Sequence, residues 1–225
     1  MDETAQRVRA ERFAALTRPL YRGKMILTKE GGDGRLKTLI LNGSPRKNGD
    51  TAAMIAHLQA QLRGETKIIR AYDGKIAPCT DCRACKIKKG CVISDGMQAV
   101  YAYLEECDHV VIASPIYFSE LSGALLSVAS RLQTYFSARF FRKEEPALSR
   151  KKGAVLLAGG GTGDPVRAYT TASELLHYMN VQEIYPLICS HNTDRIPACK
   201  DEAVLKQIGR AAAFFNDAGE AASDL

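Results

Sequence analysis

No apolar run in this 225-residue chain approaches the ~20 residues that a membrane-spanning helix needs, so no membrane partner is expected. The first 25 residues are dense in charge and hold no apolar stretch of signal-peptide type, which makes a cytoplasmic setting the expectation. No internal repeat or low-complexity tract divides the chain. Its length and 46% hydrophobic content suit one α/β domain with an appendage. The two commonest phosphate loops are missing. Gly43 and Gly49 lie six apart with Asp50 following, which breaks the Gly-x4-Gly-Lys-Ser/Thr pattern, and no Gly-x-Gly-x-x-Gly follows the first apolar run. Neither a Ser–His–Asp set nor a carboxylate pair stands out, so no acid–base residue is named. Basic groups at Arg83/Lys86/Lys88/Lys89 and at Arg139/Arg142/Lys143/Arg150/Lys151/Lys152 contribute to a net charge of +6, but only Phe140 and Phe141 interleave them. Nucleic acid is therefore not an expected partner, and both clusters are read as solvated loop and helix ends.

What the chain does hold is organised around residues 39–51, an apolar strand entering a small polar loop and then a helix. Met54, Ile55, Leu58 and Leu62 follow at helical spacing over residues 50–63. Loop amides and the helix N-terminus point at one spot, an anion site to which Ser44, Asn48 and Thr51 add neutral donors and Arg46 a fixed charge. The bland alternative is a polar connection that binds nothing.

From residue 36 onward the pattern alternates. Strands are predicted at residues 36–41, 66–71, 108–113, 153–158 and 181–188, and helices at 50–63, 96–106, 122–141, 166–179 and 201–215. Near-continuous apolar strands between helices imply a five-stranded parallel sheet covered on both faces. The doubly wound order 2-1-3-4-5 fits, with ligands beyond the C-terminal strand ends. Residues 1–35 read as an N-terminal extension, with Val8, Phe13, Leu16 and Leu20 suggesting a helix; residues 36–225 form the domain. Two further loops belong at the ligand edge. One opens at Pro115 and carries Ile116, Tyr117 and Phe118, aromatics that suit something flat. The other, residues 159–165, holds four glycines that bare the backbone to a close neighbour.

Gly43-Ser44-Pro45-Arg46-Lys47-Asn48-Gly49-Asp50-Thr51, Ser114-Pro115-Ile116-Tyr117-Phe118 and Ser130-Arg131-Leu132 together resemble the flavodoxin-like NAD(P)H-dependent FMN reductases. The likeness covers residues 36 to about 215; Ser130 stands where family members usually have Asp, at a position taken to be remote from the flavin. The resemblance implies that Ser44, Arg46, Asn48 and Thr51 hold the FMN phosphate, that Pro115, Ile116, Tyr117 and Phe118 line the ring and ribityl chain, and that Gly160, Gly161 and Thr162 approach the ring's polar edge. It implies an oxidoreductase that takes a hydride from NADH or NADPH and passes electrons to a flavin, quinone, metal or protein acceptor. It also implies a homo-oligomer, dimer or tetramer, since flavin sites in that family often sit at subunit interfaces. The basic clusters would then help attract NADPH. A reading from another class is a non-enzymatic FMN electron carrier like a flavodoxin, although flavodoxins are usually acidic and this chain has a pI near 8.9.

Four of seven cysteines fall within thirteen residues: Cys79, Cys82, Cys85 and Cys91, spaced x2, x2 and x5. In a chain read as cytoplasmic, such crowding points to metal or redox chemistry before disulfides. The spacing resembles the compact motif of the iron–sulfur flavoproteins, which implies a [4Fe-4S] cluster beside FMN. Free thiols and a zinc site stay open, although zinc usually takes two separated Cys-x2-Cys pairs. Cys107 reads as a buried apolar residue, and His57, His109 and His177 as surface or packing residues.

Overall fold

A computed structural model describes residues 35–217, so the expected N-terminal helix lies outside the described residues. Its centre is a parallel sheet of β1 (Lys37–Asn42), β2 (Glu65–Arg70), β3 (His109–Pro115), β4 (Lys151–Ala158), β5 (Val181–Ile184) and β6 (Ile188–Ser190). The order is β2-β1-β3-β4-β5, with β6 also on β4, and every pairing is parallel. This is the doubly wound, flavodoxin-like arrangement that the alternating pattern implies.

The last predicted strand, residues 181–188, is two. Ile184 and Ile188 pair with Gly153 and Leu156, so four steps of chain run beside three of β4. The surplus residue makes a bulge at Tyr185-Pro186-Leu187, where Pro186 has no N–H to give the ladder.

The helices are α1 (Asp50–Gln59), α2 (Met97–Glu106), α3 (Gly123–Ala129), α4 (Gln133–Ser137), α5 (Val166–Tyr178) and α6 (Glu202–Asn216). On one face Met54, Leu58, Ile208 and Phe215 pack on Ile40, Val111 and Leu156, all fully buried. On the other, Leu104, Val128 and Leu176 meet Leu39, Ile112 and Leu157. Successive residues of β1 thus feed opposite cores, as a strand buried on both sides must. Burying each such side chain is worth about 1.5–3 kcal/mol.

The helix predicted over residues 122–141 is present but irregular. A 3-10 turn, Ser130–Leu132, separates α3 from α4, and a π turn, Ala138–Arg142, closes it. The Ser130 hydroxyl donates to Ser127 O (2.6 Å), a local bond that tightens this turn.

Candidate functional site

Parallel strands deliver the loops after β1, β3 and β4 to one sheet edge, and backbone bonds tie them there. Gly43 N donates to Ala113 O (2.8 Å), Ile116 N to Ala158 O (2.8 Å) and Gly159 N to Ser190 O (2.9 Å). A Cβ on Gly43 would sit 2.9 Å from Leu125 Cβ and Ser122 Oγ, so the first loop rests directly on the start of α3.

Inside that first loop, Ser44 N donates to Asn42 Oδ1 (2.8 Å) and Arg46 N to Ser44 Oγ (3.3 Å), folding the chain back on itself. Gly49 starts α1 without a side-chain cap. Among the described residues, the amides of Lys47, Asn48, Asp50 and Thr51 have no acceptor. Ser44 and Thr51 are buried, whereas Arg46 and Asn48 lie open. Arg46 is held only loosely, 3.5 Å from Asp50 Oδ2 with 68% of its side chain exposed. Asp50 Oδ1 also accepts Ala198 N (3.0 Å), which fastens α1 to the turn Ala198–Lys200. Unsatisfied amides at the positive end of a helix, with two hydroxyls beside them, form a donor set that fits a phosphate monoester.

The second loop departs from expectation in one respect: Pro115 is the last residue of β3, paired with Ala158, so the loop proper begins at Ile116. Tyr117 and Glu120 exchange both backbone bonds (2.9 and 3.0 Å), and Phe118 (φ 51°) and Ser119 (φ 63°) form the corner between them. Both central residues in the left-handed region are the mark of a type I′ turn, usually given to Asn or Gly. Here the turn carries a phenylalanine that is 99% exposed, beside a Tyr117 that is 43% exposed. Backbone strain and an unburied aromatic coincide at the rim of the site.

In the third loop Gly160, Gly161 and Thr162 are exposed. Asn192 N and Thr193 N donate to Gly161 O and Gly159 O, both at 3.0 Å. A Cβ on Gly160 would come within 2.5 Å of Asp194 Oδ2, whereas one on Gly161 would meet open space. The close neighbour expected of this glycine run is thus, at Gly160, the chain's own turn after β6.

Cys79, Cys82, Cys85 and Cys91 line one cavity, with Arg131 and Ser137 in its wall. Its free volume is about 20 Å³, room for roughly one water-sized sphere. Among the described residues no three His, Cys, Asp or Glu side chains converge as metal ligands. Asp81 and Arg83 adopt φ of 49° and 63°, and Asp81 N donates to Cys79 Sγ (3.4 Å). The α3–α4 segment grips the loop. Ser130 Oγ accepts Cys79 N (2.9 Å), Cys85 Sγ donates to Ser137 Oγ (3.3 Å), and Arg142 donates to Cys85 O. Ser130, read from sequence as remote from the flavin, is a contact of the cysteine loop.

Arg131, which the sequence marks only as part of a family-like motif, has a structural role that the motif does not reveal. It is 1% exposed and donates to Asp95 Oδ2 (2.7 Å), Ala77 O (2.9 Å) and Ile93 O (3.0 Å), while Asp95 also accepts the amides of Ala77 and Met97. Burial disfavours charge on both, but their mutual bond and the backbone donors win, holding Asp95 below and Arg131 above the ordinary values. The available signal was position: Arg131 falls between Val128 and Tyr135 on the stripe that α3 and α4 bury. Its Nε has no hydrogen-bond partner. Four thiols lining the same cavity as an unpaired buried N–H are a donor set whose chemistry fits an anionic, sulfur-ligated group.

The basic clusters are not simply solvated. Lys151, the first residue of β4, is 2% exposed with its ammonium on Ser149, and the side chains of Arg139 and Arg142 are 9% and 7% exposed, the first donating to Tyr178 O and the second to Cys85 O. Lys86 Nζ sits 4.2 Å from the Phe141 ring centre. Cys107 is fully buried, as read. His109 is 4% exposed, with Nδ1 3.2 Å from Thr38 Oγ1 and its ring against Phe215; His177 Nδ1 lies 3.1 Å from Val181 O.

Sheet order, two helical layers and three loops at the C-terminal edge define a flavodoxin-like α/β protein. The chain belongs to the NADPH-dependent FMN reductase family, whose sequence model matches residues 36–192. An iron–sulfur flavoprotein of Archaeoglobus fulgidus is 29% identical over 148 residues, 64% of this chain and 61% of that protein. One from Methanosarcina thermophila is 32% identical over 128 residues, 56% of this chain and 64% of that protein. Each match thus spans less than two thirds of the relative's length. Among solved structures, an NAD(P)H:quinone oxidoreductase from Methanothermobacter marburgensis superposes with a TM-score of 0.62 at 14% identity, covering 80% of this chain and 95% of that one. An apo NADH:FMN oxidoreductase gives 0.55 at 21%, covering 80% and 88%. At such identities the two structures speak to the fold.

Proposed function

We propose that this chain is an FMN-dependent NAD(P)H oxidoreductase that passes electrons to a flavin, quinone or protein acceptor. The observation that carries this is the cluster of unsatisfied amides at Lys47, Asn48, Asp50 and Thr51, set on one sheet edge with an exposed aromatic turn and an open glycine loop. Membership of the FMN reductase family supports it. In this reading Ser44, Arg46, Asn48 and Thr51 hold the phosphate; Pro115, Ile116, Tyr117 and Phe118 line the ring; and Gly160, Gly161 and Thr162 approach its polar edge. When bound, FMN supplies the chemistry, accepting a hydride from the nicotinamide and releasing electrons to the acceptor. The residues bind and orient. Arg46 offsets phosphate charge from an exposed position, Thr51 offers an unengaged hydroxyl, and Tyr117 and Phe118 keep water from one face.

The cysteine pocket is read as the seat of a [4Fe-4S] cluster, which when present adds one-electron transfer. Four thiols in one cavity wall, the unpaired Arg131 Nε and the iron–sulfur flavoproteins among the relatives support this. A homo-oligomer, dimer or tetramer, completes the reading. The test is the spectrum of anaerobically purified protein with an iron and sulfide assay, followed by NADH and NADPH. Flavin absorption bleached by either nucleotide is expected, with a broad shoulder to the red. Colourless protein overturns the flavin reading, and yellow protein inert to both nucleotides favours the non-enzymatic carrier.

A further inference from the structure

We propose that Arg131 is a positioning residue of the cysteine pocket, fixing both limbs of its loop and offering an unused N–H, at Nε, to the sulfur held at Cys91. The inference rests on the reading of that pocket as a cluster site. A guanidinium has five N–H donors in a rigid fork. Nη1 and Nη2 reach Ala77 O, Asp95 and Ile93 O, so Arg131 ties the strand of chain before Cys79 to the strand after Cys91. Its own carbonyl accepts the Tyr101 hydroxyl (2.7 Å), which locks this turn to α2. Nε is buried, meets no acceptor in good hydrogen-bond geometry, and belongs to a side chain in the wall of the four-cysteine cavity, with Cys91 close enough to interact. A buried donor on a charged group left unpaired is costly, and native structures seldom leave one without a purpose. Cys91 is among the neighbours that stabilise the charge of Arg131.

The chemistry follows from charge. A sulfur ligated to iron is anionic, and reduction makes it more so. A buried N–H aimed at it stabilises the reduced form more than the oxidised one and raises the reduction potential. Lys at this position keeps a positive charge, but its single ammonium cannot span two carbonyls and a carboxylate while also supplying a donor at Nε. The competing account is that Arg131 only holds the loop and that one water satisfies Nε, for which the cavity has room.

The test uses anaerobically purified, iron-loaded wild type, Arg131→Lys and, as a control at the exposed rim of the same cavity, Arg83→Lys. Iron per chain and the cluster potential, followed by electron paramagnetic resonance, are measured for each. The expectation is that Arg131→Lys retains iron while its reduction equilibrium falls about tenfold, which for one electron is about 59 mV to the negative. Arg83→Lys should move by less than half of that. A loaded Arg131→Lys with unchanged potential overturns the role of Arg131 alone, whereas wild type that takes up no iron overturns the cluster reading and this inference with it. Should Arg131→Lys fail to fold, wild type grown on 15N-guanidino arginine decides the matter. A weak 15N coupling to the reduced cluster that persists in Arg83→Lys and Arg142→Lys supports the proposal, and its absence overturns it.

Discussion

His109 opens β3 at the end of the sheet opposite the site, and its burial makes acid stability a property of that end. The ring is 4% exposed, bonded to Thr38 and packed on Phe215. Burial is the main reason its pKa falls from 6.5 to about 4; Asp108 opposes that shift and Lys152 adds to it. A folded pKa below the unfolded one means the unfolded chain takes the proton first. Stability is therefore whole above pH 6.5, falls as pH drops toward about 4, and loses nothing more from this group below that. At 1.36 kcal/mol per pH unit the loss amounts to about 3 kcal/mol across the window. With a urea slope of about 2–3 kcal/mol/M, the midpoint should drop by about 1 M between pH 7 and 4.5. His109→Gln, which keeps a partner for Thr38, should flatten that fall. Equal pH slopes in wild type and His109→Gln, or an NMR titration of the His109 ring centred above pH 6, would refute the reasoning.

Other perturbations separate fold from site. Arg131→Met leaves two carbonyls and a mostly buried Asp95 without their partner, so urea denaturation should show a loss of about 3 kcal/mol, the lower part of the usual range because Asp95 keeps two amide donors. A loss under about 1 kcal/mol would contradict the clamp. Phe118→Asn relieves a left-handed phenylalanine and should raise stability by about 0.5–1 kcal/mol while lowering reductase activity. Lower stability, or unchanged turnover, counts against the turn as a site element. Gly160→Ala drives a methyl toward Asp194, an exposed side chain that can swing aside, and should cost less than about 1 kcal/mol in thermal unfolding. Gly161→Ala meets nothing within the chain and should leave stability alone while weakening flavin retention; full retention would remove Gly161 from the site.

The strands were legible in the sequence as apolar runs, continuous in β1, β3 and β4, and β2, predicted at residues 66–71 and only partly buried, lies one residue earlier at Glu65–Arg70. The break between β5 and β6 escaped notice since apolar residues continue through Pro186, and only the missing N–H divides them. The polar loop after β1 and the cysteine spacing stood out because their pattern is local to a few consecutive residues. The clamp on the cysteine loop could not. Arg131 lies 36 residues from Asp95, and a lone arginine in a helix ordinarily signals surface. The same habit made Lys151, Arg139 and Arg142 look solvated, when β4 and the π turn bury their stems. Nor does sequence reveal that Phe118 occupies a turn position suited to asparagine; only the exchanged bonds of Tyr117 and Glu120 expose it.

The central claim is that the start of α1 binds the flavin through its phosphate, and riboflavin, which lacks that group, tests it most directly. Flavin-stripped protein titrated by fluorescence should bind FMN about 100-fold more tightly than riboflavin, a difference of about 2.7 kcal/mol. Arg46→Ala combined with Thr51→Val should erase most of the gap. Equal affinity for the two flavins, or a gap untouched by the double substitution, would contradict the account.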